Sequence, residues 1–355
     1  MGSPSQLALR GALLAALAAV RVGIVAGYLG PLCCGDSFCC LLKADSAIDC
    51  WGGFHGTVPS GTYKAIACGG KSLVAIGSDD KLVACAGPAG YGVEECIPLI
   101  GTTVVDASVS PWGGSLVMSN GALKSWSRHT VYGVNGRPTQ EECVDRGYSD
   151  CNPRSMALAP PPGLFSTVAC GGKRPGHFCC AVRQESQASD DPIACWGDAS
   201  GQYKPTAAQL VGAFRPHAIS AGCDFICAVS STGAYATYGH LATGVLALHA
   251  TPGEVMPPAS LPGPFVQASC GTFSSNILDN GGNLVSFGDN SPASSLAGIS
   301  FLATSGGLGH SCALNSSRGV ECWGANFNRQ VTSKTAALAA FNPYIYPALT
   351  GTSAF

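Results

Sequence analysis

Charge is scarce in this chain. Of its 355 residues only 11% are Asp, Glu, Lys or Arg, and 19 bases against 21 acids leave a net charge of −2. No basic run occurs, so the neutralisation of several phosphates that nucleic-acid binding requires is not expected. Aromatic residues are sparse at 8%, and methionine occurs 4 times. No Gly-x-Ser-x-Gly elbow, Walker loop, dinucleotide fingerprint or His-Glu-x-x-His pair is present, so the usual marks of hydrolase, nucleotide and zinc-protease chemistry are missing. The 7 histidines are scattered. What is abundant is Gly (47), Pro (23) and Cys (19), in a chain that is 46% hydrophobic. That composition belongs to a turn-rich, well-buried fold.

The chain is organised around a stretch near its end, His310-Ser-Cys312-Ala-Leu314, a polar turn, then Gly319-Val-Glu-Cys322-Trp323-Gly324. Alternating apolar residues on both sides of a bend predict a β-hairpin. With Leu314 opposite Val320, Cys312 faces Cys322 at a separation a disulfide can span. The pattern recurs. Cys40 stands ten before Cys50, and Cys180 precedes Cys195 across a longer loop. Weaker copies pair Ala75 with Cys85, Cys227 with Thr237, Asn276 with Ser286, and Leu116 with Ser125 in a shortened form. The second positions (50, 85, 125, 195, 237, 286, 322) recur at steps of 35, 40, 70, 42, 49 and 36. Repeats near 40 residues with two or more strands each predict a β-propeller, all-β and seven-bladed, with disulfide-linked hairpins. A Trp, Tyr or Phe after the second position would fill the space between blades.

These motifs, with the Ala-Cys-Gly turns that precede them, resemble the repeat of the regulator of chromosome condensation superfamily. Its cysteine-rich variant is similar to the extracellular propellers of plant crinkly-type receptor kinases; beta-lactamase inhibitor protein II is similar in fold but less so in its cysteines. The resemblance covers roughly residues 31 to 330. It implies a seven-bladed scaffold, and a scaffold of this kind hosts many functions. His177 and His310 occupy or adjoin the repeat's His position, which the resemblance implies is structural.

Residues 1–19 read as a secretory signal: a polar start ending at Arg10, an apolar run, and a small-residue pattern at Ala16-Leu17-Ala18. Residues 20–30 continue as leader or first strand, 31–349 as propeller, and 350–355 as a tail; a membrane anchor arises only if the apolar segment is not cleaved. Arg21 interrupts that segment short of the about 20 residues a span requires. Val22 to Ala26, or Pro343 to Leu349, is a candidate to close the ring. So many cysteines fit an oxidising compartment. The expected pairs are Cys40–Cys50, Cys180–Cys195, Cys312–Cys322 and Cys143–Cys151, and an odd total leaves at least one thiol unpaired or intermolecular. No metal or cofactor is expected, because Cys39 and Cys40, adjacent on a strand, face opposite ways and no second cysteine knuckle stands at zinc-finger spacing. Tyr91 to Pro98 reads as a loop and outer strand. Asn315-Ser-Ser is a sequon in a hairpin tip.

The long step of 70 comes from an insertion, residues 128–163, without a hairpin of the repeat type. Such a loop in a compact domain is usually functional, and Tyr132, Arg137, Arg146 and Tyr148 are its recognition candidates. The expectation is a non-enzymatic secreted or cell-surface propeller that holds an extracellular protein or glycan on its rim loops. The alternatives are a polysaccharide-acting hydrolase or lyase, which needs two carboxylates about 5 or 6.5–9.5 Å apart, and a guanine-nucleotide exchange factor of the founding type.

Overall fold

Twenty-one strands follow one another in seven three-stranded antiparallel sheets, each built from three consecutive strands. The structure, a computed structural model, describes residues 29–58, 60–89, 93–111, 113–127, 160–172, 178–184, 192–197, 214–223, 225–239, 263–272, 274–288 and 296–332. Blade 1 is β1 (Leu32–Cys34), β2 (Phe38–Leu42) and β3 (Ile48–Gly52); blade 2 is β4 (Tyr63–Gly69), β5 (Ser72–Gly77) and β6 (Leu82–Ala86). Blade 3 is β7 (Val104–Ser110), β8 (Gly113–Met118) and β9 (Leu123–Ser127); blade 4 is β10 (Phe165–Gly171), β11 (Phe178–Arg183) and β12 (Ile193–Gly197). Blade 5 is β13 (Pro216–Ala221), β14 (Phe225–Ser230) and β15 (Tyr235–Gly239). Blade 6 is β16 (Phe265–Cys270), β17 (Ser274–Asp279) and β18 (Leu284–Gly288), and blade 7 is β19 (Phe301–Gly306), β20 (His310–Asn315) and β21 (Val320–Gly324). Each first strand packs beside the next around a circle, and β19 packs on β1. The circle is therefore a closed seven-bladed propeller.

The middle strands explain why the sequence shows apolar runs rather than strict alternation. Every residue of β2 and of β5 is buried, because each sheet is covered on both faces by its neighbours. The aromatic that follows the second repeat position fills the gap toward the preceding blade. Trp51 packs with Ala303, Cys312 and Leu314, Trp126 with Ala65 and Val74, Tyr238 with Phe178 and Val182, and Trp323 with Leu278. Flat rings suit this wedge-shaped space.

At the cross-strand position the seven blades differ. Cys40–Cys50, Cys180–Cys195 and Cys312–Cys322 are bonded across blades 1, 4 and 7, with Cα atoms 4.1, 4.0 and 4.1 Å apart. In blade 6 Ser286 Oγ donates to Asn276 Oδ1 at 2.6 Å, and in blade 5 Cys227 faces Thr237. Two sequence pairings need correction. Ser115, not Leu116, stands opposite Ser125, so blade 3 keeps the spacing of ten, and the two hydroxyls are 3.1 Å apart. In blade 2 Cys85 faces Val74 rather than Ala75, because a register shift after Ala75 absorbs one residue. Cys85 instead bonds Cys96. The segment around Cys96 is helical, α1 (Val93–Cys96) followed by a 3-10 turn (Ile97–Leu99), rather than a loop and outer strand. Pro98 lies in the first positions of that turn, where its missing N–H costs nothing.

Further disulfides tie Cys34 to Cys39 and Cys170 to Cys179 within blades, and Cys33 to Cys68 and Cys227 to Cys270 between blades. Non-covalent latches join other neighbours. Ser108 Oγ accepts from Cys170 N, Ser220 Oγ from Cys270 N, and Ser269 Oγ from Gly306 N. The same latch closes the circle, where Cys34 N donates to Ser305 Oγ at 2.9 Å. Trp51 Nε1 reinforces that junction by donating to Gln330 O at 2.9 Å. The two segments expected to close the ring, 22–26 and 343–349, lie outside the described residues.

Candidate functional site at the rim and axial mouth

Tyr132, Arg137, Arg146 and Tyr148 lie outside the described residues, as do Cys143, Cys151, the leader 1–19 and the tail 350–355. The stems of the insertion are described. Ser127 ends β9 opposite Gly113, at the end of the blade where first strands finish. Phe165 begins β10 opposite Arg183, at the other end of blade 4. The returning stem is clamped there. Arg183 lies 5.1 Å over the Phe165 ring and its Nη1 donates to Pro162 O at 3.2 Å. Gln184 Nε2 donates to Phe165 O at 3.2 Å, and Phe165 N to Gly121 O at 2.8 Å.

All seven first strands finish around an axial depression with an empty volume of about 410 Å³. Backbone hydrogen bonds run from blade to blade around it: Asp36 N to Gly70 O at 2.6 Å, Gly172 N to Gly222 O at 3.0 Å, Thr272 N to Gly307 O at 3.2 Å and Leu308 N to Gly35 O at 3.3 Å. These contacts leave no room for side chains. A Cβ on Gly171 would fall 2.1 Å from Gly222 O, and one on Gly307 would fall 2.3 Å from Gly35 O. Glycine at these two turns is thus a condition of ring closure, whereas blade 3 meets the same depression with Ser110-Pro111. Among the described residues that line the depression, Asp36 is the one charged side chain. The carboxylate pair of a glycosidase is not assembled from them. Near the same rim Leu308 is 49% exposed and Phe327 is 92% exposed, on segments joined by Ala325 N donating to Gly309 O at 2.7 Å. Sequence reading gave these two no role, since a single apolar residue in a turn carries no periodic signal.

The perturbed ionisable groups are internal. Asp106 is fully buried, and burial pushes its carboxyl up to about 6 against the pull of Thr167, Val168 and Ala107, which donate to it. Burial likewise raises the Tyr238 phenol to about 12 and the Tyr235 phenol further. His310 is fully buried at the junction of blades 7 and 1, where desolvation pushes its pKa down and backbone groups of Leu308 and Phe38 oppose it. Its Nε2 lies 3.3 Å from Cys39 Sγ. That setting is structural, because nothing from solvent reaches the imidazole. His177 lies outside the described residues.

Asn315 is half-buried and its Oδ1 accepts from Gly319 N at 2.7 Å. In blade 6 Asp279 Oδ1 likewise accepts from Asn283 N, four residues on, at 2.9 Å, while a bond spanning two residues shapes other tips, from Gly281 N to Asp279, Ala122 N to Asn120 and Ala47 N to Asp45. The Asn of the sequon is therefore also a turn-forming residue.

No family model matches the sequence, and no curated protein matches it. Solved structures do match in fold. The CRINKLY WD40 ectodomain of the Arabidopsis thaliana receptor kinase ACR4 is 15% identical, with a TM-score of 0.58, over 86% of this chain and 98% of that one. The ectodomain of the Physcomitrella patens receptor kinase CR4 is 18% identical, with a TM-score of 0.54, over 84% and 74%. Prp20p of Saccharomyces cerevisiae, a protein studied for its binding to Gsp1p and histones, is 15% identical, with a TM-score of 0.52, over 85% and 83%. Seven three-stranded sheets, bonded hairpins and these likenesses together make the chain a cysteine-rich seven-bladed propeller with the fold of the crinkly-type ectodomains.

Proposed function

We propose that this chain is a secreted or surface-displayed propeller that binds an extracellular protein or glycan through the insertion 128–163, with Tyr132, Arg137, Arg146 and Tyr148 in the contact. The observation that carries the reading is the pairing of a rigid, clamped stem at Pro162, Phe165 and Arg183 with a long segment of aromatic and charged residues. A loop on a stiff scaffold presents such groups at low entropic cost. Eight disulfides among the described residues favour an oxidising compartment. The fold of receptor-kinase ectodomains agrees with display outside the cell, and the apolar leader agrees with export. Asn315 would carry a glycan on that route.

The test has two stages. Protein made through a secretory route is weighed intact with and without reduction, and loss of residues 1–19 with oxidised cysteines is expected. A retained leader with free thiols would turn attention to the exchange-factor alternative, for which Prp20p shares the fold. The oxidised chain and a variant with all four contact residues replaced by alanine are then compared for binding to the surface of the expressing cells. Loss of binding at unchanged Tm supports the site; equal binding moves it elsewhere, with Leu308 and Phe327 next.

A further inference from the structure

We propose that Cys322 captures an external thiol as a mixed disulfide, and that a sulfur relay across the junction of blades 7 and 1, ending at Cys34, holds the capture. The starting observation is a contact between two disulfides. Cys312, bonded to Cys322, has its Sγ 3.4 Å from the Sγ of Cys39, which is bonded to Cys34. The sulfurs of Cys34, Cys39 and Cys312 all lie within 4.8 Å of one another, and among the described residues no other three cysteine sulfurs do.

The strands set this junction apart. In the bonded hairpins of blades 1, 4 and 7 the cysteine on the middle strand, Cys40, Cys180 or Cys312, is fully buried. Its partner on the edge strand, Cys50, Cys195 or Cys322, is half-buried. An entering thiolate therefore meets the edge sulfur and expels the inner one. What the inner sulfur then faces differs. Cys180 packs with Ala221 and Ile226 of blade 5, which offer no sulfur. Cys40 packs near Cys68 but does not stand within 4.8 Å of both sulfurs of the Cys33–Cys68 bond. Cys312 alone faces a second disulfide at that range. In blades 1 and 4 the nearest target of the expelled thiolate is the mixed disulfide it has just left, and its return releases the visitor; in blade 7 it has another bond to attack.

The steps balance without an added oxidant. The external thiolate attacks Cys322 Sγ, a new S–S bond forms, and Cys312 leaves with the electron pair of the old one. Cys312, released, turns about its Cα–Cβ bond and attacks Cys39 Sγ, closing the 3.4 Å gap to the about 2.05 Å of a disulfide. Cys34 leaves as the thiolate and takes up the proton that the external thiol lost. Two disulfides and one thiol thus become the mixed disulfide, a Cys39–Cys312 bond and the Cys34 thiol. The direction follows from burial. A thiolate is disfavoured in apolar surroundings, and Cys312 is fully buried, whereas Cys34 lines the axial depression. After the relay Cys312 can no longer expel the captured thiol, and the new bond joins the first blade to the last.

The test treats the full oxidised chain with reduced glutathione as the probe thiol, quenches with N-ethylmaleimide and maps the peptides without reduction. Glutathione is expected on Cys322 in excess over Cys50 and Cys195, together with a Cys39–Cys312 crosslink and N-ethylmaleimide on Cys34. Cys34→Ser/Cys39→Ser removes the second disulfide and should bring the Cys322 adduct down to the level of Cys50, whereas Cys180→Ser/Cys195→Ser should leave it as in the parent. In Cys322→Ser the Cys312 thiol is present from the start, so the Cys39–Cys312 bond with a thiol on Cys34 is expected before any glutathione is added. An adduct on Cys322 that is absent or no greater than on Cys50 and Cys195 would overturn the proposal. So would N-ethylmaleimide on Cys312 with Cys34–Cys39 intact, or a Cys322 adduct that Cys34→Ser/Cys39→Ser leaves unchanged.

Discussion

Blades 1, 4 and 7 hold their second and third strands together with a disulfide, whereas blades 3 and 6 do so with a hydrogen bond between Ser115 and Ser125 or between Asn276 and Ser286. The polar blades carry a second substitution. At one position of their first strand each has a polar side chain that accepts an N–H of the next blade: Asp106 Oδ2 from Val168 N at 2.9 Å, and Gln267 Oε1 from Thr304 N at 3.1 Å. Gln267 Nε2 also donates to Thr304 O. The comparison teaches that one geometry accepts two chemistries. What the position demands is two small groups facing each other across buried strands, each satisfied.

The largest expected effect comes from the staple between blades. Cys33→Ser/Cys68→Ser opens a loop of 35 residues, and the chain-entropy model puts the loss at about 4 kcal/mol, read as a lower guanidinium midpoint. A loss near 1 kcal/mol instead would mean that latches such as Ser305 to Cys34 carry the ring. Asp106 comes next. Its carboxyl titrates near 6 in the folded chain against an ordinary 3.8, so the folded state binds the proton more tightly. Its contribution to stability therefore falls as pH rises from about 4 to about 6, by up to about 3 kcal/mol, and is flat above. Asp106→Asn should remove that slope, and it should lower stability throughout, because either amide orientation sets an N–H against Val168 N or Ala107 N.

Converting a polar blade into a covalent one tests the comparison directly. Ser115→Cys/Ser125→Cys should form a disulfide and gain about 2.5 kcal/mol in the oxidised chain, as expected for a loop of ten. Failure to bond would mean that blade 3 differs from blade 1 in more than side chain. The smallest effect is Ser115→Ala, a loss of about 1 kcal/mol by the same denaturation.

Much of the fold was legible because it is written locally. Cys312 and Cys322 are ten residues apart on one hairpin, and alternation alone sets their register. The same reasoning failed by one residue at Ala75, where the shift before Ile76 leaves no mark in composition, and at Leu116, read as a shortened copy although Ser115 keeps the spacing of ten. Tyr91 to Pro98 misled for a related reason. A turn of helix shorter than two repeats has no detectable period, and its position is fixed by the Cys85–Cys96 bond. Of the candidate site the sequence marked the insertion by its length and its mixture of aromatic and charged residues; the clamp at Arg183 and the exposed Leu308 and Phe327 required the assembled ring.

The sequence by itself determined the repeat, the count of seven hairpins and the three cross-strand disulfides, since each depends on residues within one strand-turn-strand unit. Only the tertiary structure decided the staples Cys33–Cys68 and Cys227–Cys270, the latches from Ser to the next blade's N–H, and the meeting of His310 with Cys39 across 271 residues. Such contacts depend on how far each sheet is rotated about the axis. That rotation is set by packing between neighbours and by ring closure, which no single repeat contains.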